Sequence, residues 1–334
     1  MKRILALALY CVLGLSSLMA QDYSRYVDPR IGSEGLGRTF PGPCMPYGMA
    51  KPGPDAVSMP NAGWAPMPEP VKGFSQMHVS GTGGGQKYGN ILIQPFLDAG
   101  DIIQKRMDEK IALGYYACTF ENGIRTEITA SERCAFYRLD YGRKQKGKLM
   151  IDVATFLGID TIPDKRETQQ YVDSYVTCDG KYAVSGWSTV RGGWNNGGPY
   201  TVYFYLQSDV PLSNCDVPLS NSDAPLYNKV KESKTRLDVA FSKSVVNLKI
   251  GISHISIDQA RRNIPSCGFD TQLKNVRKTW NGKLGKIEIA ATEKQKRMFY
   301  TALYHTMLMP VDKSGENPHF AATPYYDDYY AIWD

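Results

Sequence analysis

The chain has 334 residues, 43% of them hydrophobic and 22% charged, enough apolar content for a real core and enough length for two domains. Its formal charge is +6. The balance is mild and no basic stripe shows along the sequence, so a nucleic-acid partner is not expected.

Lys2 and Arg3 precede an apolar run at 4–15, and Ala20 offers a small residue before a cleavage point. Residues 1–20 therefore read as a signal peptide, too short to span a bilayer. Bulky Tyr10 before Cys11 argues against lipid attachment. No later apolar stretch would cross a membrane, so no integral membrane segment is expected in the mature chain. The protein is expected to be exported, to the periplasm or beyond the cell. Six cysteines follow the leader without a CxxC pair, which argues against zinc. Cys118 and Cys134 fall on neighbouring predicted strands where a disulfide is possible; the pairing is left open.

From 21 to 255 the pattern is β. The stretch GFSQMHVSGTGGGQKYGN, 73–90, holds a glycine-dense turn beside His78. A phosphate loop needs Gly-x-x-x-x-Gly-Lys-Ser/Thr. Here Gly81 is followed by Gln86, Lys87 and Tyr88, so the second glycine and the hydroxyl are missing. No helix follows, and nucleotide binding is not expected. Alternation places Phe74, Gln76, His78 and Ser80 on one face, with Met77 and Val79 on the other. A glycine rim lets a ligand approach the backbone.

Predicted strands follow at 115–120, 124–130, 134–141, 148–156, 182–191, 200–207 and 245–252. The first two flank Asn122-Gly123, a strong hairpin signal. The run RKQKGK at 143–148 reads as a solvated turn. The unit DVPLSN at 209–214 recurs at 216–221, and DAPL follows at 223–226; so short a repeat reads as a duplicated surface loop, with a calcium loop made from its aspartates as the alternative. Many strands without intervening helices argue for an antiparallel β-sandwich.

Near 256 the period changes. Ser256/Gln259 and Thr292/Gln295 have capping-box form. Leu273, Val276 and Trp280 make a helical stripe with Asp270 as the expected cap, giving a connector over 256–285. Phe299, Ala302, Leu303 and Met307 form a second stripe, ended by Pro310. That apolar face is expected to need a partner that the chain does not supply. Asp327 and Asp328, among four tyrosines, read as a solvated turn.

The ordered motifs resemble glycoside hydrolase family 92, the exo-acting α-mannosidases. The resemblance is carried by YVDPRIGSEGLGRTFPGPCMPYGMAKPGPD, GFSQMHVSGTG with YGNIL, GYYACTFENGIRTEITASER, LKIGISHISIDQARRNI, FYTALYHTMLMP and the terminal YYAIWD. It departs at Leu36 and Arg38, where histidines are common, and at Gly84 and Asn90, where cysteine and aspartate are common. The resemblance implies an N-terminal β-sandwich joined by helices to an (α/α)6 barrel, whose truncated start would occupy 286–334. It implies an inverting, calcium-dependent hydrolase acting on mannose-containing glycans. Inversion needs two carboxyl groups spaced for a water, and these, with most calcium ligands, are expected downstream of Asp334. No catalytic residue and no metal ligand is therefore assigned in this chain, and the 334 residues alone are expected to be inactive. Expected substrate-binding residues are Asp334, with Trp333 beside it or in the core, His78 with the loop at 81–85, Arg38, and Trp64 as a stacking platform. Trp187 and Trp194 are assigned to packing. The alternative reading is a non-catalytic glycan-binding sandwich fragment.

Overall fold

A computed structural model of the protein describes residues 21–35, 37–60, 62–81, 87–98, 100, 102–142, 146–158, 168–193, 196–214, 235–317 and 326–327. The expected leader at 1–20, most of the repeat, the loop at 82–86, Trp194, Trp333 and Asp334 lie outside the described residues.

Alternating apolar residues build two antiparallel sheets. The strands are β1 (Gly53–Ala56), β2 (Val71–Ser75), β3 (Leu92–Phe96), β4 (Arg106–Ala112), β5 (Tyr115–Phe120), β6 (Arg125–Ala130), β7 (Cys134–Asp140) and β8 (Lys148–Asp152). They continue with β9 (Gln169–Cys178), β10 (Ala183–Gly192), β11 (Tyr200–Ser208), β12 (Leu212–Ser213), β13 (Arg236–Phe241) and β14 (Val245–Ser253). One sheet has the order β1-β2-β3-β8-β13-β12, the other β4-β5-β6-β7-β14-β11-β10-β9. On β14, Val246, Leu248, Ile250 and Ile252 all enter the core between the sheets, the period of two that a sheet face requires. Opposite them lie Ile93, Leu149, Ile151 and Val239. This is the antiparallel sandwich expected from the sequence.

Three helices follow: α1 (Ile257–Arg262), α2 (Phe269–Leu284) and α3 (Glu293–His305). Ser256 caps α1 through the amide of Gln259. Thr292 and Gln295 close a reciprocal capping box on α3. Asp270 is not a cap; Gly268 occupies that position, and Asp270 sits in the first turn and pairs with Arg138 at 2.8 Å. The outer face of the eight-stranded sheet receives α2, whose Phe269 meets Tyr115, Ala117, Cys134 and Phe136.

The helices share a second core with the chain's start. Trp280, Tyr300 and Tyr304 pack with Tyr26, Cys44 and Met45. The Trp280 indole donates to the Cys44 carbonyl at 2.8 Å. The buried side of α3 is Tyr300, Thr301 and Tyr304, and of the expected stripe only Met307, just past the helix, is buried with them. Ala302 is exposed, and Phe299 and Leu303 are half-buried. Tyrosine hydroxyls explain the displaced phase: that of Tyr300 donates to the Ile287 carbonyl at 3.0 Å, so a residue that reads as polar closes the core. After α3 the chain forms β15 (Val311–Asp312), which pairs with β16 (Tyr326–Asp327). Asp327 thus lies on a short strand, not in the expected turn.

Cys118 and Cys134 do not pair. Strand β6 separates β5 from β7, and the two thiols face opposite sides of the sheet, Cys118 into the sandwich core and Cys134 toward α2. Cys44, Cys118, Cys134 and Cys267 are free. Cys178 is disulfide-bonded to a partner outside the described residues.

Candidate functional site

The glycine motif leaves β2 and passes between the sheets instead of continuing as a strand. Every residue from 73 to 80 is buried. The expected polar and apolar faces therefore do not exist; both sides are covered. His78 is enclosed, its side chain 0% exposed. Its Nδ1 lies 2.7 Å from the Lys51 carbonyl, which can only accept, so Nδ1 donates. Its Nε2 lies 2.7 Å from Asp55 Oδ1 and 3.3 Å from the Ser75 hydroxyl. The ring stacks on Phe40 with centroids 4.9 Å apart. Gly63 makes room for this arrangement: a Cβ there would come within 2.5 Å of His78 Nε2 and 2.7 Å of Asp55 Oδ1, and its φ of +77 is one that favours glycine. His78 thus ties the motif to β1 and to the 51 segment, and it offers no surface to a ligand.

The opening segment of the chain meets the same motif. The Gly81 amide donates to the Arg38 carbonyl at 2.9 Å, and the Phe40 amide donates to the Ser80 hydroxyl at 3.0 Å. Arg38, half-buried, is therefore beside the stem of the glycine loop, a proximity that its place in the opening glycine segment did not announce. On the return side, His78 forms an antiparallel bridge with Tyr88, and the Gly89 amide donates to the Met77 carbonyl at 2.9 Å. The two stems of the loop are paired.

Both stems are then fixed to the sheets. Gln76 donates to the carbonyls of Phe74 and Ile91 at 3.0 and 3.1 Å and accepts from Tyr137 at 3.0 Å. Asn90 accepts from the Tyr200 hydroxyl at 3.2 Å. Burial pushes the Tyr200 hydroxyl up from its ordinary pKa, so it remains a donor. Tyr88 meets Tyr200 edge-on at 5.7 Å, and Lys313, from the segment after α3, donates to the Tyr88 hydroxyl at 3.4 Å. Tyr88 and Ile91 have φ of 62 and 60, a left-handed backbone that a β-branched residue rarely adopts. Gly89, at φ +76, lies so close to Leu157 that a Cβ would fall within 2.5 Å of it. The result is a rigid base under a glycine loop, contacted by the chain's start, both sheets and the segment that follows the helices.

Trp64 is not part of this surface. It is 3% exposed, and its indole donates to Glu109 at 3.0 Å. Glu109 also accepts from Tyr116 at 2.7 Å and pairs with Arg106, which donates to the carbonyls of Ala65 and Glu69. The proline-rich stretch is thus pinned by a buried ion pair, and Trp64 has no free face for stacking. Trp187 is half-buried on β10, opposite Tyr175 and Tyr203.

Gln76, Tyr200 and Lys313 were not singled out by sequence reasoning. They are joined only by the packing of segments more than a hundred residues apart. Among the described residues, no group of three or more His, Cys, Asp or Glu side chains is placed to hold a metal ion. No helix there is long and apolar enough to cross a membrane.

Comparisons with known proteins agree with this geometry. A model of the glycosyl hydrolase family 92 N-terminal domain matches residues 26–253, and one of the family's catalytic domain matches 257–334. A protein of Arthroderma benhamiae described as an uncharacterized secreted glycosidase is 28% identical, over 94% of this chain and 45% of its own length. The solved α-mannosidase BT3965 of Bacteroides thetaiotaomicron, in complex with mannoimidazole, superposes with a TM-score of 0.73 at 24% identity, over 88% of this chain and 41% of that one. The inverting mannosidase BT2199 of the same organism gives a TM-score of 0.65 at 22% identity, over 87% and 40%. At these identities the solved structures speak to the fold. The chain spans less than half the length of each of these relatives.

Proposed function

The chain belongs to glycosyl hydrolase family 92, and from that premise we propose that it supplies the sandwich and first helices of an exported, exo-acting, calcium-dependent, inverting α-mannosidase on mannose-terminated glycans. The observation that carries this reading is the coincidence of two boundaries. The family's N-terminal and catalytic matches meet between 253 and 257, where β14 ends at Ser253 and α1 begins at Ile257. The protein is assembled from the same two parts, in the same order, as the family.

In this reading the glycosidic bond is broken by two carboxyl groups outside the described residues, about 6.5–9.5 Å apart. One protonates the leaving oxygen while the other activates a water from the opposite face of the sugar. Calcium, with its tolerance for many oxygen ligands, would hold sugar hydroxyls. Among the described residues no cluster of acidic, histidine or cysteine side chains forms a site for it. This chain contributes a wall of the cleft: the glycine loop, Arg38 beside it as a hydroxyl donor, and Asp334 with Trp333 at the non-reducing sugar. His78 and Trp64 act through support, holding the loop base and the proline-rich stretch in place.

The test uses the chain extended through its catalytic domain. Proton NMR of an aryl α-mannoside during turnover should show β-mannose as the first product, and a calcium chelator should abolish the reaction. Retention of α configuration, or turnover indifferent to the chelator, contradicts the corresponding part of the proposal. Binding of mannose oligosaccharides without turnover favours the glycan-binding alternative.

A further inference from the structure

The mild charge of the chain is unevenly placed. Residues 256–300 hold ten Lys and Arg against four Asp and Glu, a balance of +6 that equals that of the whole chain. The other 289 residues or so are therefore neutral in sum. No stripe is visible in the linear sequence because buried residues interrupt the cations. The winding of α2 gathers them.

Phe269, Gln272, Val276, Trp280 and Leu284 are buried and lie on one side of α2. Lys274, Arg277 and Lys278 are exposed on the remainder, three and four residues apart, where helix side chains are neighbours. The one acid of α2, Asp270, is taken by Arg138. Lys286 and Lys294 extend the exposed set into the link before α3 and into its first turn. Among the described residues none of these five cations has a carboxylate partner. Like charges at such spacings disfavour a helix, and an anionic surface relieves that repulsion.

We propose that this face docks on an anionic lipid headgroup surface. Lys274, Arg277 and Lys278 lie on the exposed side of a helix about 24 Å long, with Lys286 in the link after it and Lys294 in the first turn of α3, where exposed Glu288 and Glu293 stand close in the chain; a row of cations this long suits an extended layer better than a single small ligand. Ile287, next to Lys286, is 47% exposed, and Met298, four residues after Lys294, is 61% exposed. Cations bordered by exposed aliphatic side chains match a layer of charged headgroups over apolar chains. Attraction of this kind is electrostatic and reversible, and it falls within a Debye length. The proposal is independent of the hydrolytic reading: it concerns the connector, not the cleft.

Flotation with vesicles of phosphatidylcholine alone, and with phosphatidylglycerol added, tests it. Residues 21–334, without the expected leader, and the extended form should both float only with the anionic vesicles, and release as salt rises to about 0.5 M. The variant K274E/R277E/K278E should bind at least roughly tenfold more weakly. A variant with the same charge change on the sandwich, K105E/K110E/K243E, should bind nearly as the parent does, which separates the ridge from net charge. Circular dichroism confirms that both variants fold. No flotation, equal loss in the two variants, or binding to a soluble sulfated polysaccharide but not to vesicles would overturn the proposal. So would vesicle binding that disappears in the extended chain, since the ridge would then be covered.

Discussion

His78 and Trp64 show how a residue that looks exposed from its neighbours is buried by distant ones. Trp64 sits among prolines, a context that suggests a loop tip, yet its indole bonds Glu109, 45 residues away. Breaking a buried ion pair by removing one partner typically costs about 3–5 kcal/mol. Glu109→Ala should therefore lower unfolding stability by about 3 kcal/mol in urea titration, and it should raise Trp64 fluorescence quenching by acrylamide. An unchanged midpoint would show that the Arg106–Glu109 pair does not hold the proline-rich stretch. For His78, the linear pattern gave a strand with a polar face. What it lacked was Asp55, which reaches Nε2 only because β1 and β2 pair and Gly63 leaves the space. Gly63→Ala should destabilise by about 2 kcal/mol, combining a left-handed backbone with a contact shorter than van der Waals distance. The place of Arg38 in an opening glycine segment was legible from the family motifs, and the meeting of that segment with Gly81 was not. The partners that make the loop base rigid, Gln76, Tyr200 and Lys313, were not.

At the scale of elements, the strands read correctly from sequence are those with apolar alternation or an apolar run: β5, β6, β7, β8, β10, β11 and β14. The missed ones have physical reasons. Strands β4 and β9 are the two edges of the eight-stranded sheet, and their exposed residues carry no apolar stripe. Strand β1, Gly-Pro-Asp-Ala, has almost no strand propensity and exists because β2 pairs with it. Helix starts were legible where a side chain does the capping, at Ser256 and Thr292, and misread where glycine does it, at Gly268. Thr292→Ala removes one half of the capping box and should cost about 1 kcal/mol, read as a lower thermal midpoint with the α3 signal fraying first. A midpoint equal to that of the parent would mean that α3 is held by Tyr300 and Tyr304 alone.

Across the molecule, three of the four free thiols among the described residues, Cys44, Cys118 and Cys134, are buried in its cores. Burial pushes Cys44 up to about 11 and Cys118 up to about 12, from an ordinary value of 9.0. The folded protein thus holds these protons more tightly than the unfolded chain does. The stability they contribute is fully present below about pH 9 and is lost as pH rises toward 11–12. Unfolding midpoints in urea should fall between pH 9 and 10.5, and Cys118→Ala should flatten that fall although it lowers stability at neutral pH. A midpoint independent of pH over that range would contradict the buried-thiol account. The fold class and the change from strands to helices near 256 were legible at this scale, because periodicity reports them directly. The gathering of cations on α2 was not, because it appears only once the helix is wound and its apolar side is buried.

In the proposed function the sandwich and first helices need the rest of the family's catalytic domain to become a hydrolase. The most direct test of that need compares the folded 334-residue chain with the chain extended through that domain, at equal concentration with calcium, on an aryl α-mannoside. The extended chain should release the aryl alcohol, and the 334 residues should release none above background. Turnover by the 334-residue chain alone, or a well-folded extended chain inert toward every α-mannoside offered, would contradict it.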